Sequence, residues 1–179
     1  MIGTLLLLIG MAIGLHLPDI DLTLSFLVHR SIITHGFLLP LLLFWFAHKK
    51  ESPIPRLFAM GISSSAAIHL CFDLFPGVWT GFALIHIPVY SRTSPAFSWL
   101  WIALSSIVCL YVAFSLIRNL FDVMMVISSL VIAFGFYATT EKNIFVFPLV
   151  ALATATTIVL ALPSNSAELL RKLRRRIVS

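Results

Sequence analysis

Six long apolar segments, separated by short polar stretches, dominate the pattern of this chain. They cover residues 2–17, 33–48, 57–75, 97–117, 121–139 and 144–162. Most approach the roughly 20 residues with which an α-helix crosses the hydrocarbon core of a bilayer. The pattern predicts an all-α membrane protein, a bundle of about six transmembrane helices. A further apolar segment, 80–90, is too short to span and contains Gly81 and Pro88, so we expect it to be interfacial or re-entrant.

Composition supports a membrane protein rather than a soluble one. Mean hydropathy is +1.05, and only 11% of the 179 residues are charged, which is too few to solvate a globular surface of this size. We expect one transmembrane domain over 1–163, with halves 1–96 and 97–163, followed by a basic tail over 164–179.

The basic residues predict an orientation for this bundle. The net charge is +5, but five basic residues fall within the last nine positions, which is typical of an anionic-lipid contact rather than a nucleic-acid site. Nine of the twelve Lys and Arg residues lie on one predicted side, and the other three are Arg30, Arg92 and Lys142. The positive-inside rule then places both termini in the cytoplasm.

Potential metal ligands gather on the opposite, non-cytoplasmic face. The topology brings together the end of the first segment, the loop after it, the start of the second segment and the end of the third. Ionisable groups beside lipid-facing helices are costly and usually mark a site. The candidates are His16, Asp19, Asp21, His29, His35, His69 and Asp73.

Two of the motifs lie around the first loop. Asp19 and Asp21 would point the same way in an extended stretch, and carboxylates held that close repel unless a cation lies between them. The alternative is a polar turn with helix-capping aspartates. Ligation by both His29 and His35 would need His29 in the loop and His35 in the first turn of the second span. Arg30 could pair with a bound carboxylate or phosphate, or contact lipid headgroups instead.

The third motif lies inside the third segment, where His69 and Asp73 share one helix face at a spacing of four. The pair could clamp one ion, or the aspartate could orient the imidazole. The alternative is a neutral, hydrogen-bonded pair. His86 lies on the same predicted side and could shuttle protons or act as an accessory ligand, although a structural role is the alternative.

The order of these motifs resembles the YdjM-like, LexA-regulated family of bacterial inner-membrane metal-dependent hydrolases. The resemblance covers roughly residues 10 to 90, through Leu-Pro-Asp-Ile-Asp at 17–21, His-Arg-Ser at 29–31, Thr-His at 34–35 and the His69 to Asp73 pair. It implies a multi-pass protein of the bacterial inner membrane. It also implies a metal-dependent hydrolase centre carried by Asp19, Asp21, His29, His35, His69 and Asp73.

These observations lead to one expected function and one rival. The chain is expected to bind one or two divalent ions, with zinc preferred and manganese or iron as alternatives. A metal-bound water would attack a phosphoryl or acyl ester of a lipid-like substrate. Arg30 would stabilise developing charge, and the short segment with Trp79 and His86 would form a lid or wall. Expected partners are membrane lipid and this substrate, with no nucleic acid, and a homo-oligomer or larger complex is possible. The rival is a divalent-cation or proton transporter, or a structural metal-bound subunit.

Overall fold

Six α-helices form most of the chain in the computed structural model. The described residues are 2–24, 27–50, 52–75, 84–88, 91–140 and 145–162. Most of the predicted 80–90 segment, Trp79 and the basic tail therefore lie outside the described residues. The helices are α1 Ile2–His16, α2 Leu38–His48, α3 Pro53–Asp73, α4 Pro95–Ser115, α5 Leu120–Thr140 and α6 Val146–Ala161.

Two short elements complete the described fold. A 3-10 turn, Pro18–Leu22, follows α1 directly. Strands β1 (His86–Ile87) and β2 (Ser91–Arg92) pair antiparallel, and an isolated parallel bridge joins Ser31 to His86. This small strand pair was not predicted from the sequence. It ties the first loop to the residues that precede α4.

Helix α3 is the centre of the bundle, because it packs against each of the other five helices. Its side chains are buried almost continuously from Arg56 to Phe72. Helix α5, in contrast, leaves large apolar side chains such as Met124, Ile127 and Val131 more than half exposed. The apolar surface of this molecule is thus partly inside the bundle and partly on its outside.

Close contact between α1 and α3 depends on glycine. A Cβ atom at Gly14 would lie closer than 3.0 Å to the Ile62 carbonyl oxygen and the Ser65 Oγ, and one at Gly61 would meet the Leu7 carbonyl. Small residues allow helix backbones to approach in this way. The approach places the C-terminal end of α1 beside the last turns of α3.

Three helices, α3, α4 and α5, are each 21 residues long and apolar enough to cross a membrane. The apolar helices α1, α2 and α6 are shorter, with 15, 11 and 16 residues. The prediction that the second span begins at residue 33 was wrong, because α2 begins at Leu38. Residues 31–37 form turns instead, since the Ser31 N–H donates to Asp21 and the Ile32 N–H donates to the His86 carbonyl.

A second polar cluster lies at the opposite end of α3 from Asp73. Arg56 was predicted to lie in a loop, but it lies within α3, is buried, and places Nη2 3.3 Å from Asp122 Oδ1. Ser52 caps this helix at its start, upstream of the predicted boundary, by accepting from the Ile54 N–H. Arg118 donates to the carbonyls of His48 and Lys50. Basic residues from three parts of the sequence are therefore gathered at this one end.

Candidate metal centre

The first carboxylates of the site come from the turn after α1. We predicted an extended stretch here, but Pro18–Leu22 is a 3-10 turn, because Pro18 follows the helix end directly and the Ile20 N–H bonds back to the Leu17 carbonyl. Asp19 and Asp21 therefore have different surroundings. The Asp21 side chain is fully buried, whereas that of Asp19 is 38% exposed.

Asp21 is held by hydrogen bonds from the loop that follows it. Its Oδ2 accepts from the Ser31 N–H at 2.9 Å and from the Thr34 hydroxyl at 2.8 Å, and it lies 3.3 Å from His35 Nδ1. Burial alone would raise the pKa of Asp21, but hydrogen bonds from His35, Ser31 and Thr34 hold it well below its ordinary value. Asp21 is thus a carboxylate, and it fixes His35.

His35 lies in the turn before α2, not in the first turn of a span as predicted. In a neutral imidazole whose proton is on Nδ1, facing the Asp21 carboxylate, Nε2 has the lone pair that a metal ligand needs. That Nε2 lies 3.3 Å from Asp73 Oδ2 and 3.9 Å from Asp19 Oδ1. Trp101 Nε1 donates to the His35 carbonyl at 2.9 Å, which anchors the turn to α4.

His69, on α3, is oriented in the same manner. Its Nδ1 donates to the Leu15 carbonyl at 2.8 Å, and the Tyr137 hydroxyl on α5 contacts the same nitrogen. Its Nε2 lies 3.2 Å from Asp73 Oδ2 and 3.7 Å from Asp19 Oδ1. Both histidines therefore use Nδ1 to bind protein oxygen and direct Nε2 to a single place.

The spacing of these atoms fits a divalent ion. In a tetrahedral site with bonds of about 2.0–2.1 Å, neighbouring ligand atoms lie about 3.3–3.4 Å apart. The four distances from the two Nε2 atoms to the carboxylates of Asp19 and Asp73 range from 3.2 to 3.9 Å. Among the described residues, Asp19, His35 and His69 also form one of two groups whose ligand atoms lie mutually close enough to hold a metal ion, and Asp73 adjoins this group through its contacts with both histidines.

Two of these atoms lack hydrogen bonds. His35 Nε2 and Asp73 Oδ2 are both buried and face each other at 3.3 Å, and neither has a hydrogen bond of good geometry within the described residues. A buried acceptor without a partner costs about 1–3 kcal/mol. A bound cation would satisfy both atoms at once, so the donor set fits a metal ion.

The second group consists of Asp21, His29 and His35. His29 Nδ1 lies 3.3 Å from Asp21 Oδ1, and its side chain is 40% exposed. A neutral imidazole has one lone pair, so His35 cannot give Nε2 to one ion and Nδ1 to another. Asp21 and His29 are therefore placed to orient His35. Of the seven predicted ligands, Asp19, His35, His69 and Asp73 have atoms that face one another at 3.2–3.9 Å.

Arg30 has an unusual backbone conformation beside the site. Its φ is +62°, in the left-handed region that costs a non-glycine residue on the order of 1–3 kcal/mol. Backbone hydrogen bonds with His86 hold it there, since the His86 N–H donates to the Arg30 carbonyl at 2.9 Å. The guanidinium Nη2 lies 3.4 Å from Asp73 Oδ1. The predicted anion-binding arginine is thus next to the centre.

His86 and His16 lie apart from both groups. His86 Nε2 accepts from Arg92 Nε at 3.3 Å, and the residue joins the site through its backbone rather than its ring. His16 is exposed, and its ring meets the Phe136 ring edge-on at 6.4 Å between centroids. The structure gives neither side chain a place among the converging ligand atoms.

Sequence reasoning missed the residues that orient the histidines. Tyr137 is one of three tyrosines, and a phenol inside an apolar helix needs a hydrogen-bond partner. That need was a usable signal, but it does not identify the partner. The roles of the Leu15 carbonyl and of Thr34 follow from chain geometry that the sequence pattern does not contain.

Comparison with known proteins identified no relative of this chain. The chain was compared with protein-family models, with curated proteins and with solved structures, and none of the three comparisons gave a match. The likeness to the YdjM-like hydrolases therefore stays a prediction from the motifs.

Proposed function

We propose that this chain is a multi-pass membrane hydrolase that uses one divalent ion held by Asp19, His35, His69 and Asp73. The observation that carries the proposal is the pair of buried atoms, His35 Nε2 and Asp73 Oδ2, that face each other without a hydrogen bond beside His69 Nε2. Mixed nitrogen and oxygen ligands suit zinc first, with manganese or iron as alternatives.

The membrane is the environment that the exposed surface favours. Three helices have the length and apolarity of spans, and large side chains such as Val131 and Leu42 are more than 60% exposed. Exposed apolar surface on this scale is costly in water. We place the chain in the bacterial inner membrane, with both termini cytoplasmic and the metal centre at the opposite face.

The arrangement is suited to hydrolysis of an anionic ester. When bound, a zinc-like ion supplies Lewis acidity and lowers the pKa of a coordinated water. The exposed side of the centre is at Asp19, so water and substrate would enter there. Arg30 has five N–H donors, and its ion pair with Asp73 uses only part of them. The remainder can face a phosphoryl or acyl group on the ion and stabilise its developing negative charge.

A structural ion is the second candidate, and the complete burial of the His35 side chain favours it. A closed site would be saturated by protein side chains, whereas a catalytic one keeps a position open. The exposure of Asp19 favours the open site, because a weakly enclosed carboxylate is easily replaced or joined by water.

Metal analysis of the purified full-length protein tests the proposal. We expect one divalent ion per chain in the wild type, and its loss in His69→Ala and Asp73→Ala. His48→Ala is the matched control, because His48 ends α2 at the opposite end of the bundle. Metal retained in both His69→Ala and Asp73→Ala would overturn the centre. Metal-dependent release of phosphate or fatty acid from lipid esters separates the enzyme from a structural site.

A further inference from the structure

An apolar groove lies between α4 and α6, with the end of α3 as its floor. Its volume is about 440 Å³, within the roughly 300–1,000 Å³ of ligand pockets. Leu100 and Ala103 form part of the α4 wall, Phe147 and Ala151 part of the α6 wall, and Leu74 part of the floor.

The walls of the groove suit hydrocarbon rather than polypeptide. Its two hydroxyl side chains, Ser106 and Thr154, already donate their protons to the carbonyls of Ala103 and Val150, at 2.9 and 2.8 Å, which leaves the indole N–H of Trp99 as the other polar group of its lining side chains. The groove therefore gives a peptide little to bond with, and a backbone laid in it would leave N–H and C=O groups unpaired at a cost of several kcal/mol. An alkyl chain has no such groups.

One end of the groove is lined by residues that are next to Asp73 in the chain. Leu74 and Phe75 line it and follow the ligand Asp73 directly in sequence. At 3.8 Å per residue, the Cα atom of Phe75 lies at most about 7.6 Å from that of Asp73. The groove also extends along α6 from Phe147 to Ile158, which is about 16 Å of helix. A chain lying in it would have one end at the level of the centre.

We propose that this groove holds the hydrocarbon chain, acyl or prenyl, of an amphiphilic substrate whose ester group reaches the metal. This inference rests on the proposed function, because the lipid is a substrate only if the chain is a hydrolase. It assigns the part of the site that binds the hydrocarbon chain to α4 and α6. Trp99, Leu100 and Phe147 are exposed at the groove. A lipid would enter from the bilayer without crossing water.

Photo-crosslinking tests this assignment. The probe is a long-chain alkyl phosphate with a diazirine in its chain, added to the full-length protein in nanodiscs, with and without bound metal. Ala151→Trp fills the groove from α6 and Ala103→Phe fills it from α4. Leu149→Trp is the matched control, because Leu149 is an exposed residue of α6 that does not line the groove.

We expect wild-type labelling to concentrate on α4 and α6 residues of the groove. Ala151→Trp should lower that labelling on the order of tenfold, since displacing even two methylenes costs about that much affinity. It should also raise KM for a long-chain ester by a similar factor. Leu149→Trp should behave as wild type. If Ala151→Trp does not fold, Ala103→Phe tests whether filling the groove lowers the labelling.

Labelling spread evenly over exposed faces, including α5, would overturn the proposal. So would groove labelling that both filling variants leave unchanged, because the probe would then lie outside the groove. The metal-free arm separates the two proposals. Groove-specific labelling that persists without metal, in a protein that hydrolyses no ester, would refute the hydrolase and leave the lipid-chain site standing.

Discussion

Replacing Asp21 by Asn separates a residue that orients a ligand from one that binds the ion. The carboxylate accepts from the Ser31 N–H and the Thr34 hydroxyl, and it faces His35 Nδ1 at 3.3 Å. Asn has nearly the same shape but no charge. Its carbonyl oxygen can take the place of Oδ2, which faces all three donors, with the NH2 group toward His29 Nδ1, so the substitution removes the charge that holds His35. We therefore expect His35 to lose its fixed orientation while the chain still folds.

The size of the effect follows from this geometry. Removing the carboxylate partner of a ligating histidine typically weakens metal binding by about 10- to 100-fold, which corresponds to about 1.4–2.7 kcal/mol. Asp73→Asn should do far more, because Asp73 Oδ2 lies within 3.3 Å of both Nε2 atoms. The metal-free protein should also lose stability by about 1–3 kcal/mol, since hydrogen bonds to a charged acceptor are stronger than those to a neutral one.

Chelator competition on the purified protein measures this difference. The series comprises wild type, Asp21→Asn, Asp73→Asn and His48→Ala, with thermal unfolding of each metal-free variant as a folding control. If Asp21→Asn loses the ion as completely as Asp73→Asn does, the result would indicate that Asp21 is a direct ligand. It would also support the alternative of a second ion. Affinity equal to that of wild type would show that the contact with His35 has no part in metal binding.

Two further substitutions test how the helices position His69. Tyr137→Phe removes a hydroxyl that contacts His69 Nδ1 and donates to the Leu15 carbonyl at 3.1 Å. We expect about tenfold weaker metal binding in the same chelator assay. Unchanged affinity in a folded variant would refute the role of Tyr137 in orienting His69. Gly14→Leu forces α1 away from α3 and should lower stability by about 1–3 kcal/mol, with loss of metal. Ala12→Leu, on the exposed face of α1, is its control, and equal unfolding midpoints for the two variants would contradict the packing argument.

The helices that could be predicted from the sequence are those that correspond to long apolar segments. The apolar segments predicted for α3, α4 and α5 agree with the structure to within four residues at each end, because long apolar runs have few alternatives to a helix. Residues 33–37 were predicted to begin the second span, yet they form turns. Their conformation is set by Asp21 and His86, which are distant in sequence, and no local pattern contains that information.

The candidate site was predictable in position but not in roles. Charge asymmetry and topology placed His35, His69 and the aspartates on one face, and the structure brings them together. Which nitrogen faces the ion depends on what the other nitrogen contacts, and those contacts come from Asp21, the Leu15 carbonyl and Tyr137. Residue spacing cannot show such contacts between separate helices.

The distance between the two polar clusters of α3 bears on where the centre lies in a bilayer. Arg56 and Asp73 are 17 residues apart on one helix, or about 26 Å at 1.5 Å per residue. The hydrocarbon core of a bilayer is about 30 Å thick. In the proposed orientation the Arg56–Asp122 pair would lie near one edge and the candidate metal centre near the other, where water would reach Asp19 and lipid would reach the groove. A transporter needs ionisable groups along a path between these edges. Between Arg56 and His69, α3 offers only the serines 63–65 as polar side chains, so this placement favours chemistry at one face over passage through the bundle.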